Sequence, residues 1–148
     1  MVKIANATTE VSAEKSIAEI MAILTKHGAT EIMSSYNAGT AIGLTFVVPT
    51  KHGSLAFQLP AHIEKVYSIL INERYDAWKE DVKTRVHKQA ERVAWRILKD
   101  WIRAQMAIVQ TEMVTVEEVF LPYLQIQGKS LYQTLVDGQF KYPQLKEG

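Results

Sequence analysis

The stretch TAIGLTFVVPTKHGSLAFQL, residues 40–59, alternates large apolar side chains with smaller ones on both sides of a turn. Ile42, Leu44, Phe46 and Val48 fall on one face, and Ala41, Gly43, Thr45 and Val47 on the other. After PTKHG, residues 49–53, Leu55, Phe57 and Leu59 alternate with Ser54, Ala56 and Gln58. A period of two is the pattern of a half-buried strand, so the segment predicts two antiparallel strands with one face under cover.

Reading outward toward the N-terminus, Asn37–Gly39 supplies a short turn able to take positive φ, and Thr30–Tyr36 supplies a third strand. Before it, Ile17, Ile20, Met21 and Leu24 recur at helical spacing. Ser12 is placed to cap that helix, Glu14 suits its first turn, and Gly28 is placed to end it. Toward the C-terminus, Pro60 suits the first turn of a second helix whose stripe is Ile63, Val66, Tyr67, Leu70 and Ile71. The order over residues 12–72 is α-β-β-β-α. A long helix is predicted from about 75 to about 113. Thr115 and Glu118 then form a capping box, with Val114 and Val119 as a hydrophobic staple, opening a short helix that ends near Pro122. One more short helix, carrying Leu131, Leu135 and Val136, stops at Gly138. The expected class is α+β: a three-stranded antiparallel meander packed by helices, then a long helix and short C-terminal helices. Residues 1–138 form the expected single domain, and 139–148 a flexible tail.

Length and composition suit such a domain. A chain of 148 residues buries roughly two-thirds of its unfolded surface, and 47% hydrophobic with 22% charged residues is ordinary for a folded soluble protein. No cysteine is present, which removes disulfides and thiolate metal sites and suits a reducing compartment. The N-terminal MVKIANATTEVSAEKS lacks the apolar core of a signal peptide, and no run is long enough to span a membrane. A cytoplasmic protein is expected.

Net charge is only +1, but its distribution is uneven. Residues 82–103 hold seven Lys or Arg against two acids. Turned at 100° per residue, Arg85, Lys88, Arg92, Arg96, Lys99 and Arg103 form one ridge along the long helix. The opposite arc, which includes Val93, Ile97, Trp101, Ile102 and Met106, spans roughly 220°, about twice the stripe of an ordinary surface helix. Such a width requires either several internal partners or a second subunit, so a homo-oligomer is expected. Trp95 lies where arc and ridge meet. Like charges four residues apart repel by a few tenths of a kcal/mol per pair, so something should compensate them. One reading is a phosphate-tracking ridge with Trp95 stacking a base. The other is a solvated face whose cations pair with Glu73, Asp76, Glu80, Asp81 or Glu117–Glu118.

Chemistry is sparse. His27, His52, His62 and His87 are scattered, and the single turn joining His87 to Glu91 offers only two metal ligands. Gly128–Ser130 (GKS) ends like a phosphate-binding loop, but the required earlier glycine is Tyr123 and no strand precedes it. No G-x-G-x-x-G, nucleophile elbow or H-E-x-x-H occurs. Asp76, Glu80 and Asp81 are explained by the dipole at a helix start. The expectation is a non-enzymatic protein with no cofactor and no metal.

Two segments, VSAEKSIAEIMAILTKHGATEI (11–32) and VAWRILKDWIRAQMAIVQTEMVTVEEVFLPYLQI (93–126), resemble a family of small uncharacterised proteins of tailed bacteriophages and prophages. The likeness covers about residues 8–138. It implies a phage accessory protein acting inside a bacterial host and brings no catalytic residues with it. The α-β-β-β-α order is also similar to the double-stranded-RNA-binding domain, but PAHIEK has one lysine, preceded by Glu64, where that family places its phosphate clamp. The leading expectation is nucleic-acid binding, single-stranded or non-specific, in DNA replication or recombination, through Arg85, Lys88, Arg92, Trp95, Arg96, Lys99 and Arg103. The rival is an inhibitor or adaptor that binds a host protein such as a defence or nucleic-acid-processing enzyme.

Overall fold

The computed structural model describes residues 3–141. The first helix, α1 (Ala13–Lys26), is capped by the Ser12 hydroxyl, which accepts from the Lys15 amide at 3.1 Å. Gly28, at φ 98°, ends it: Gly28 N–H donates to Thr25 and Ala29 N–H to Leu24, the pair of bonds that closes a left-handed stop. Strands β1 (Glu31–Asn37), β2 (Thr40–Thr50) and β3 (Gly53–Pro60) follow as an antiparallel meander in the order β1-β2-β3. Leu44, Phe46, Val48, Phe57 and Leu59 line its inner face and are buried.

The parity of β2 changes near its start. Ser35 pairs with Gly43, whereas Tyr36 pairs with Ala41, leaving Ile42 as the extra residue of a bulge. Ala41 therefore turns into the core and Ile42 out, at 39% exposure, although strict alternation places Ile42 with Leu44. Pro60 also departs from expectation. It ends β3 opposite Gly43, and Ala61 continues the ladder by donating to Ile42 O at 2.8 Å, so the next helix, α2 (Ile63–Asn72), starts three residues later.

The long helix α3 runs unbroken from Glu80 to Gln110, shorter at both ends than 75–113. At its start, Arg74 clasps the buried Asp76 carboxylate with two bonds, 3.0 and 3.1 Å, and Lys79 N–H donates to Asp76 O. This folds residues 73–79 into turns instead of helix. At its end, Glu112 takes φ 65°, which breaks the helical run. The capping box at Thr115 and Glu118 opens α4 (Val116–Phe120), followed by a 3-10 turn, Leu121–Tyr123. A ribbon of β4 (Gln125–Ile126) and β5 (Lys129–Ser130) and a last helix, α5 (Leu131–Asp137), complete the described chain. Of the expected tail, Gln139 and Phe140 form turns in which Gln139 N–H donates to Val136 O and Phe140 N–H to Leu135 O. Residues 142–148 lie outside the described residues.

Helices α1 and α2 both pack along α3, and the core lies between this layer and the sheet. Ile17, Ile20 and Leu24 of α1 meet Ala94, Trp95, Ile102 and Met106 of α3 and the inner sheet face. Phe46 stacks on Phe57, and Phe120 meets Phe46 and Trp101 edge to face at 5.3 and 5.5 Å, geometries that add to plain burial. The wide apolar arc of α3 is thus mostly covered from within the chain, by the sheet, α1, α2 and α4. Its width no longer argues for a second subunit. Among the described residues no helix is long and apolar enough to cross a membrane.

Candidate nucleic-acid interface

Six of the seven Lys and Arg of α3 do lie along one line, spanning about 27 Å from residue 85 to 103 at 1.5 Å per residue, but that line is not open. Residues 6–9, ahead of α1, run over it. Gln89 Nε2 donates to the carbonyls of Ala7 and Thr9 at 3.1 and 2.9 Å, and Asn6 Nδ2 donates to Asp100 at 2.9 Å. Farther along, α1 itself meets the ridge, where Glu19 accepts from Arg96. The chain's own N-terminal quarter covers the middle of the basic face.

Each cation has its own circumstance. Arg85 and Lys88 are exposed, with loose ion pairs to Asp81 at 3.6 Å and Glu91 at 3.8 Å. Pairs of that exposure contribute little. Arg92 is half-buried and donates to Gln89 Oε1 at 3.1 Å. Arg96 is largely covered in its pair with Glu19. Lys99 is buried, with 6% of its side chain exposed, and its ammonium meets Asp100 at 2.8 Å. Hydrogen bonds from Lys99 and then Asn6 hold the Asp100 carboxyl below its ordinary range. Of the six, Arg103 alone is exposed without an ion pair among the described residues. Compensation of the like charges therefore comes from acids inside the fold. Of those expected as partners, only Asp81 takes that role.

Trp95 is not at a surface. It is 1% exposed, and its Nε1–H donates to the Ala41 carbonyl at 3.0 Å. A buried indole N–H needs an acceptor, and the β2 bulge places one over it. A base cannot stack on this ring without opening the core, so the stacking role assigned from the sequence does not fit the structure.

What remains is a groove of about 490 Å³ between the C-terminal halves of α1 and α3. Arg96, Lys99 and Arg103 line it from α3, and Lys26 and His27 from α1, with Glu19 as its acid. Lys26 has no ion pair among the described residues and offsets the negative end of the α1 dipole there. In the sequence, Lys26 and His27 stand just ahead of Gly28, at the end of the first helix. Their spacing could show a cap, but not that this end of α1 lies beside Arg103.

Tyr75 and Trp78 were also missed, because residue 75 was read as helical. They are 94% and 74% exposed, on the turn that the Arg74–Asp76 clasp closes. His87 reaches beyond its own helix as well as to Glu91. Its Nε2 lies 2.7 Å from Glu64 on α2 and its Nδ1 3.5 Å from Glu91, whose side chain is largely buried. The imidazole links two helices. Among the described residues no three His, Asp or Glu side chains are grouped to hold a metal ion. No protein family, curated protein or solved structure matches this chain.

Proposed function

We propose that this protein is a non-enzymatic accessory protein that binds nucleic acid by its phosphates. The phage setting, and a role in replication or recombination within a bacterial cytoplasm, rest on the sequence resemblance alone. The observation that carries the binding reading is the groove in which Lys26, Arg96, Lys99 and Arg103 converge, with Glu19 as the one acid in its lining among the described residues. Cations from two helices facing one concavity are suited to a phosphate backbone, which contributes affinity without sequence information. With Trp95 sealed in the core and no Trp, Tyr or Phe among the described residues lining this groove, binding should be indifferent to base sequence and to strand number.

A salt titration with labelled oligonucleotides tests this. Two or three phosphates neutralised in the groove give a log–log slope of about −2, well short of the value of about −4 or steeper that six open cations would produce. Replacing Lys26 and Arg103 together by Ala should remove most of the affinity and flatten the slope. Trp95→Phe should leave affinity unchanged. No binding at low salt would sink the reading.

One observation favours the adaptor reading instead. A Trp and a Tyr presented on a turn are the residue types that anchor protein interfaces, and acids Glu73, Glu80 and Asp81 around them suit a protein partner better than a polyanion. In that case Trp78→Ala would abolish capture of a host protein, and the Lys26/Arg103 variant would not.

A further inference from the structure

The GKS tripeptide, rejected as a phosphate loop on its spacing, stands at the mouth of a cleft that the nucleic-acid reading does not use. Gln127 and Gly128, at φ 49° and 82°, form a two-residue turn that pairs Ile126 with Lys129 across the β4–β5 ribbon. The ribbon is anchored to the meander: Leu124 bridges to Phe57 of β3, and Leu131 N–H donates to Leu124 O at 2.8 Å. Between this C-terminal unit and the β3–α2 junction lies a cleft of about 750 Å³, within the range of small-molecule sites.

Proline and tyrosine rings contribute to its lining. Pro60 lies on one side and Pro122 on the other, with Tyr132 at the edge, 56% exposed. Tyr123, also in the lining, is backed by Trp101 at 5.6 Å, which fixes that wall to the core. Lys65 of α2 and Lys129 of β5 line the cleft, and among the described residues no Asp or Glu does. Lys65 has no ion pair among the described residues, while Lys129 holds Asp137 at 2.6 Å. Gln58 brings an amide able both to donate and to accept.

We propose that this cleft binds a mononucleotide, its heteroaromatic ring between the proline and tyrosine walls and its phosphate at Lys65 and Lys129. Proline and tyrosine rings favour a planar body, the Gln58 amide a body with its own donors and acceptors, and two lysines with no lining acid among the described residues an anion. The site is separate from the α1–α3 groove, and neither reading depends on the other.

Calorimetric titration of the whole protein with AMP, adenosine and ribose 5-phosphate tests the assignment, with amide chemical shifts to locate binding. AMP should bind, and each fragment should bind about tenfold more weakly or worse, because each lacks one half of the recognition. Lys65→Ala and Tyr132→Ala should each weaken AMP about tenfold, and Lys65→Arg should retain it. Both positions are exposed, so the variants should fold as the parent does. Shifts should centre on Gly128, Lys129 and Tyr132. The Lys26/Arg103 double variant should bind AMP normally, and Lys65→Ala should bind oligonucleotides normally. Absent AMP binding, adenosine binding as tightly as AMP, or full affinity in Lys65→Ala would each overturn the proposal.

Discussion

The Lys99 ammonium has 6% of its side chain in contact with solvent and one anion, Asp100 at 2.8 Å, to balance it. Removing the partner of a buried charge costs more than removing the charge, because the orphan stays desolvated. Asp100→Asn is therefore expected to lower stability by about 1–3 kcal/mol, and Lys99→Met, which keeps the stem and loses the charge, by less than about 1 kcal/mol. Urea denaturation decides it, and equal losses would mean the charge is not the cause. The same turn of helix shows what a residue's position on a wheel leaves out. The angles of Trp95 and Lys99 were legible in the sequence. That α1 and the β2 bulge cover both was not, because covering elements come from 50 or more residues away in the chain.

At the scale of elements, local signals were read well wherever they were complete within a few residues. Ser12, Gly28 and the Thr115–Glu118 box all cap where their chemistry placed them. Gly28 illustrates why: at φ 98° a side chain is strained whatever surrounds it, and no atom lies within 4 Å of where a Cβ would be. Gly28→Ala should therefore cost about 1–2 kcal/mol through backbone conformation alone, read as a fall in the urea midpoint without change in slope. A midpoint equal to the parent's would show that the left-handed stop contributes nothing. The misread elements are those without a periodic signal. The β4–β5 ribbon has two residues per strand, too few to alternate. The start of α3 was placed early because the Arg74–Asp76 clasp looks, in sequence, like two more charges on a helix.

For the molecule as a whole, Asp76, Asp100 and Asp137 are held below the ordinary carboxylate range by hydrogen bonds from Arg74, Lys99 and Lys129. A depressed folded value means that the unfolded chain takes up protons first as pH falls. Stability from these pairs is complete above the ordinary aspartate pKa of about 3.9 and is lost as pH falls through the lower folded values. The urea midpoint should hold from pH 7 to 5 and decline below about pH 4. A midpoint that rose on acidification would contradict the three pairs. By itself the sequence determined the α+β class, the meander, the long helix and the line of six cations, because period, caps and turns act over a few residues. Only the tertiary structure decided which cations stay open. Residues 6–9 and α1 fold back over the middle of the ridge, bury Lys99 and engage Arg96, and leave Arg85 and Lys88 exposed at one end and a groove beside Arg103 at the other. Burial and charge pairing between distant segments are properties of the packed chain, and no periodicity carries them.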